Sequence, residues 1–211
     1  MKVYIVGEDP VTYAIIKKVL AFCSPKIEII TELPARGGQV KCKISKFNKL
    51  SESFPVILLT DLDASLCAPQ LLAELLEESK NENFIFNIAV DEAEAWLMAD
   101  REGFSKYFNI EIGDMPNATL TKQGGRNELV EMNFSYKSSM YLTHELVNKM
   151  KKKEHRDQLT PKQGAAKGPE YNPCMLPFIN EHWNINQAKV NSDSLNRMIL
   201  RIENLLNRQK S

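Results

Sequence analysis

Over roughly the first ninety residues, short apolar runs alternate with amphipathic stretches. Val3-Tyr4-Ile5-Val6 is a β-favouring run that stops at the turn cluster Gly7-Glu8-Asp9-Pro10. Tyr13, Ile16, Val19, Leu20 and Cys23 then recur at helical spacing, with Lys17 and Lys18 on the other face and Pro10 suited to the first turn. Lys26 to Glu32 alternates like a strand, and a Lys-rich helix runs from Gln39 to about Leu50. Val56-Ile-Leu-Leu-Thr reads as a strand buried on both faces, bounded by Pro55 and ending in Asp61-Leu-Asp63. Pro69 to Lys80 predicts an amphipathic helix, and Asn83 to Val90 the next strand. The order β–α–β–α–β–α–β implies a parallel sheet with helices on both faces, an α/β fold.

Beyond that unit the pattern loosens. A helix is expected to start at Asp91, as N-cap, with Glu94 in the capping-box position. Residues 111–140, with Gly124-Gly125-Arg126 in the middle, read as loop plus short helix, a surface excursion or a lid. Tyr141 to Lys153 reads as a helix, and Leu195, Met198, Ile199, Ile202, Leu205 and Leu206 mark an amphipathic helix to Arg208 that suits its own domain or a partner. The expected organisation is an α/β core over residues 1–110 and a helical and loop extension over 111–211.

Three predicted strands end in acids: Glu8, then Asp61 and Asp63, then Glu92 and Glu94. Ligands bind at the carboxyl ends of parallel strands, and side chains at i and i+2 of an extended segment point the same way. Carboxylates crowded together raise one another's pKa, and a hard divalent cation with oxygen ligands removes that conflict. A Mg²⁺ or Mn²⁺ site is therefore expected on Glu8, Asp61, Asp63 and one or both of Glu92 and Glu94. Within a helix those last two residues would stand about 200° apart, so they face one ion only if the helix starts later. Each acid has an alternative as a turn or cap residue.

The chain carries 27 Lys and Arg against 27 Asp and Glu, unevenly spread. Residues 1–110 hold 12 basic against 16 acidic groups, and residues 111–211 hold 15 against 11. Lys149, Lys151, Lys152, Lys153, Arg156, Lys162 and Lys167 make a basic series, and Arg36 beside Gly37-Gly38 is a further phosphate candidate. Such groups read phosphates, not base sequence. The four scattered cysteines form no C-x-x-C pair, which argues against a zinc site or a disulfide framework. With no apolar run long enough to span a bilayer and no signal-peptide pattern, a cytoplasmic protein is expected.

Strand–Gly7-Glu8 followed by strand–Asp61-x-Asp63 in an alternating unit of about 100 residues resembles the Toprim fold of topoisomerases, primases and the overcoming-lysogenisation-defect nucleases. The run from Val90 to Asp100, followed by Arg101-Glu-Gly-Phe, resembles bacterial Toprim-like proteins found beside ATPases of the ABC/SMC kind. A weaker match covers Pro161-Lys-Gln-Gly-Ala-Ala-Lys167-Gly168-Pro169-x-Tyr171-Asn172. The resemblance implies a Mg²⁺-dependent nuclease of the bacterial-defence type, acting on DNA and working with an ATPase partner or as a homodimer. The roles it implies fall on Glu8, Asp61 and Asp63 as catalytic metal ligands, Glu94 or Glu92 as an assisting acid, and Lys167 at the scissile phosphate. It departs from the nuclease pattern after Glu8, where Val11-Thr12-Tyr13 stands in place of a second acid. That departure favours the alternative of a regulatory subunit that binds nucleic acid or docks on an ATPase.

Overall fold

The computed structural model describes residues 1–35, 39–62, 68–76, 78–123 and 127–209. Four parallel strands form its sheet: β1 (Lys2–Val6), β2 (Glu28–Glu32), β3 (Val56–Asp61) and β4 (Phe84–Ala89), in the order β2-β1-β3-β4. The chain winds outward from β1 to β2, returns across the sheet to β3, and winds outward again to β4. The direction reverses between β1 and β3, and in open α/β sheets the crevice at such a reversal is where ligands bind.

The strand pleat sorts the core into two layers. Val3, Ile5, Ile57, Leu59 and Ile85 face a cluster that includes helix α1 (Pro10–Cys23) and most of the second half of the chain. Val56, Leu58, Phe84, Phe86 and Ile88 face the opposite layer. That layer holds α2 (Gln39–Cys42), α3 (Ile44–Leu50) and α4 (Ala68–Leu75). Asp61 has the same strand parity as Ile57 and Leu59, which directs its side chain to the α1 layer. The Lys-rich helix expected to about Leu50 is divided at Lys43 into α2 and α3, and α4 ends at Leu75, short of the expected Lys80.

After β4 the chain enters α5 (Ala93–Met98) and α6 (Arg101–Phe108), whose N-cap Asp100 accepts a bond from the Gly103 amide at 3.1 Å. The segment expected to be loop holds an antiparallel hairpin, β5 (Ala118–Gln123) and β6 (Asn127–Met132). Helix α7 (Ser138–Tyr141) continues through a π-helical turn (Leu142–Leu146) into α8 (Val147–Lys149). The helix expected to Lys153 therefore stops earlier, and α9 (Lys153–Leu159) starts anew. Then come α10 (Tyr171–Pro177), a second π turn (Phe178–His182), α11 (Ile185–Ala188) and α12 (Asp193–Arg208).

The amphipathic face of α12 packs on its own molecule: Leu195, Met198, Ile199, Ile202 and Leu205 are buried. From α12, Arg201 donates to the Phe86 carbonyl and to Asn87 Oδ1 on the edge strand β4, at 3.0 and 3.1 Å. An outer sheet edge with unpaired carbonyls is a liability, and this helix covers it. Trp96, fully buried in α5, donates its indole N–H to Ser194 Oγ at the start of α12, at 2.8 Å. No described helix is long and apolar enough to cross a membrane.

The hairpin is tied to α12 by Glu131, which is 2 % exposed. Its carboxylate accepts bonds from Ser192 Oγ at 2.8 Å and from the Ser194 amide at 2.6 Å. Burial pushes this carboxyl up from its ordinary value near 4.5 to about 7, against those bonds. The raised acid costs stability once ionised, so stability held in full below about pH 4.5 is lost as pH rises through about 7. Glu131→Gln is expected to remove that loss, on the order of 2 kcal/mol between about pH 5 and pH 8. Denaturant midpoints at the two pH values measure it, and an unchanged pH dependence in the variant would contradict it.

Candidate active site

The carboxyl ends of β1 and β3 lie side by side, with Val6 opposite Leu58. This register brings Thr60 of β3 against Glu8 just past β1, and Thr60 Oγ1 donates to Glu8 Oε1 at 2.6 Å. One residue on, Asp61 Oδ1 accepts the backbone N–H of Ala93, the first residue of α5, at 2.9 Å. A carboxylate from β3 thus satisfies one of the open amides of a helix that follows β4.

The helix start differs from the expected one. Asp91 has φ +68°, in the left-handed region, and Glu92 is extended at φ −141°, ψ 168°. The helix begins at Ala93, so Asp91 is not its cap, and Glu92 lies outside it. Asp91 Oδ1 instead accepts from the Ser138 amide at 3.2 Å, and Glu92 Oε2 from the Ser139 amide at 2.8 Å. Lys137 stands 3.4 Å from Glu92 Oε1. Glu92 therefore anchors α7, whereas Glu94, inside the first turn of α5, turns toward the other side of the site.

Glu94 is 4 % exposed. Its Oε1 accepts two bonds, from Lys167 Nζ at 2.8 Å and from Tyr171 Oη at 2.8 Å. Lys167 also reaches Asp9 Oδ2 at 3.1 Å, and its ammonium stands 4.5 Å from the centre of the Tyr171 ring. Asp9 is the N-cap of α1, using its other oxygen for the Thr12 amide (2.8 Å) and hydroxyl (2.9 Å). One lysine thus bridges the first and third acid-bearing strand ends. A glycine holds it there: a β-carbon on Gly168 would lie 2.2 Å from the Gln158 carbonyl oxygen and 2.4 Å from Leu159 C. Only a residue without a side chain lets this loop rest on the end of α9.

The electrostatics follow from burial and crowding. Asp61 is pushed up to about 8, first by burial and then by the charges of Glu94, Glu8 and Glu92, against the Ala93 bond. Asp91 is raised to about 6, chiefly by burial, with Glu92 and Glu94 adding to it. Burial pulls Lys167 down, but Glu94 and Asp9 outweigh it and hold the ammonium above the ordinary lysine range. Burial likewise opposes ionisation of Asp9, and Lys167 with the Thr12 bonds reverses that effect. Tyr171 is held well above the ordinary phenol value by burial and by Glu94.

Glu8, Asp61, Glu94 and Lys167 are therefore drawn into one network, with Glu92 at its margin. Asp63 and Arg36 lie outside the described residues. Of the other basic candidates, Lys151 pairs with Glu111, and Arg156 donates to the carbonyls of Met150 and Lys151 at the end of α8. Lys152, Lys153 and Lys162 are exposed on α9 and its flanks. Two members of the network, Asp9 and Tyr171, are absent from the sequence-derived set. Asp9-Pro10 carries an evident helix-capping signal that hides its second role, and Tyr171 was visible in the Lys167-Gly-Pro-x-Tyr spacing without a chemistry attached.

Among the described residues, no group of three or more His, Cys, Asp or Glu side chains is arranged to hold a metal ion. The fit to a divalent cation rests on donor chemistry. The donors are all oxygen, and Asp61 is a buried carboxyl whose ionisation its neighbours oppose, the conflict a hard cation resolves.

Opposite stability effects are expected for two substitutions. Asp61→Asn keeps an oxygen for the Ala93 amide and removes a carboxyl that ionises in the unfolded chain but is held back from ionising in the fold, and without divalent cation it is expected to stabilise the fold by about 1–2 kcal/mol near pH 7. Lys167→Met leaves Glu94 buried without its ammonium and is expected to cost about 2–4 kcal/mol. Thermal unfolding in a chelator measures both, and shifts of the same sign would contradict the charge balance described.

No curated protein and no solved structure matches the chain. A family model described as "Domain of unknown function (DUF4276)" matches residues 8–121, from the first acid of the site through α5 and α6 into the hairpin. That match spans more than half of the sequence, and the chain belongs to the DUF4276 family.

Proposed function

We propose that the protein is a divalent-cation-dependent nuclease of the Toprim type, hydrolysing phosphodiester bonds in DNA. The observation that carries the reading is the convergence of acids from separate strand ends on Asp61, at the reversal of strand order, with a lysine from a remote loop closed onto one of them, Glu94. The resemblance of Gly7-Glu8, Asp61-x-Asp63 and the Lys167 loop to the overcoming-lysogenisation-defect nucleases points the same way.

Glu8, Asp61 and Asp63 are the residues that would hold Mg²⁺ or Mn²⁺, with Glu94 preferred over Glu92 as the assisting acid. Glu94 is the largest charge acting on Asp61, whereas Glu92 is committed to the start of α7. A cation bound there would supply Lewis-acid activation of water and of the leaving oxygen. The chain's own contribution is positioning. Thr60 fixes Glu8, the Ala93 amide fixes Asp61, and Tyr171 fixes Glu94 and flanks Lys167. Lys167, held cationic, can stabilise negative charge developing on a phosphoryl oxygen once substrate draws it from Asp9.

A second reading has an observation of its own. Lys167 is already bonded to both Asp9 and Glu94, as in a structural ion bridge, which suits a regulatory subunit that binds nucleic acid or docks on an ATPase without cutting. Incubating the protein with supercoiled plasmid and Mg²⁺ or Mn²⁺ tests the choice. Cleavage by the wild type is expected, falling by at least about a hundredfold in Asp61→Asn and in Lys167→Met. Equal cleavage by all three, or no cleavage by the wild type of either the plasmid or a single-stranded oligonucleotide, would refute the nuclease. Mg²⁺ is also expected to raise the melting temperature of the wild type and not of Asp61→Asn.

A further inference from the structure

Next to the acids, a cleft of about 550 Å³ opens between the first turns of α1, the segment after β2 and the α10 end of the extension. Glu8 and Asp9 form its boundary with the site, so whatever occupies the cleft is continuous with whatever binds at the acids. Its lining is mostly apolar, with Tyr13, Ala14, Pro34, Ala35 and Leu176, and the exposed Asn180 lies beside them. Tyr13 cannot swing freely, because its hydroxyl donates to the Leu33 carbonyl at 2.7 Å, and its ring is a fixed wall.

The charges of the lining argue against a phosphate inside. Glu8, Asp9 and Glu32 contribute acids, and Lys17, the one cation among the described lining residues, is held by Glu32 at 2.5 Å. A neutral, flat, partly polar group fits such walls, and it must be joined to a phosphate that lies at the acids. We propose that this cleft receives an unpaired nucleobase adjoining the scissile phosphate, stacked against Tyr13 with its edge toward Asn180, so that the substrate is single-stranded or locally unpaired nucleic acid. In a duplex both faces of each base are covered by its neighbours and its edge is paired, so the base cannot enter without leaving the stack. Stacking on an aromatic face accepts any base.

The proposal takes the polymer's identity from the nuclease reading, and the test separates the two. Fluorescence anisotropy is measured for a labelled short oligothymidylate and for the same strand in a duplex, with Ca²⁺ present. The wild type is expected to bind the single strand at least about tenfold more tightly than the duplex. Tyr13→Phe, which keeps the ring, retains that preference. Tyr13→Leu, which loses the face, and Asn180→Trp, an exposed position whose new side chain fills the cleft, each lose most of it. Equal affinity for strand and duplex, no binding of the strand, or full retention of the preference by Tyr13→Leu and Asn180→Trp would overturn the cleft assignment. Strand binding that depends on Tyr13, without cleavage of any substrate, would keep the cleft and sink the nuclease. Cleavage of strand and duplex alike, untouched by Tyr13→Leu, would do the reverse.

Discussion

Repulsion among carboxylates at the carboxyl edge of a parallel sheet is the constraint to which the rest of the molecule answers. β1, β3 and the turn after β4 each deliver acids to one place, and burial makes their mutual repulsion more costly than it would be in water. The fold offsets it with directed bonds. The hydroxyl of Thr60 bonds Glu8, the Ala93 amide bonds Asp61, the Ser138 and Ser139 amides bond Asp91 and Glu92, and Lys167 with Tyr171 bonds Glu94. Each of these bonds ties together segments distant in sequence, so the charge cluster also specifies how the second half of the chain docks on the first.

The parallel sheet makes that docking possible. Every strand of such a sheet ends on the same side, so loops after different strands meet without further design. The second half then fills the α1 face of the sheet and covers the β4 edge with α12, leaving the carboxyl rim bounded by α1, α5 and the Lys167 loop. Gly168 is the narrowest point of this arrangement, since the loop that carries Lys167 lies directly on the backbone of α9.

Much of the first half was legible in the sequence because a buried parallel strand is a short uninterrupted apolar run, and Val3–Val6, Val56–Thr60 and Phe84–Val90 are such runs between turn residues. The acids at their ends could be read for the same reason. The left-handed Asp91 could not: a capping-box pattern at Asp91 and Glu94 is as strong as one at a true helix start, and the amides that claim Asp91 and Glu92 come from α7, more than forty residues on. The hairpin at 118–132 was missed although Ala118-Thr-Leu-Thr and Glu128-Leu-Val-Glu alternate, because its polar content resembles a surface loop until Glu131 is seen buried against Ser192 and Ser194. The basic series was legible as charge but not as placement: Lys151 and Arg156 are used within their own neighbourhood, and Lys167 alone of the described members of that series bonds to the acids of the site.

The bond between Lys167 and Asp9 spans 158 positions of the chain. On the ribosome, the strands that bear the acids emerge long before their counter-cation does. A nascent chain that has made the sheet but not the Lys167 loop carries the carboxylates uncompensated, and native contacts of such separation form late because the entropy of closing long loops comes first. Assembly of the acidic rim is thereby coupled to completion of the tertiary fold, and a chain interrupted before that loop would hold the acids without the group that stabilises them.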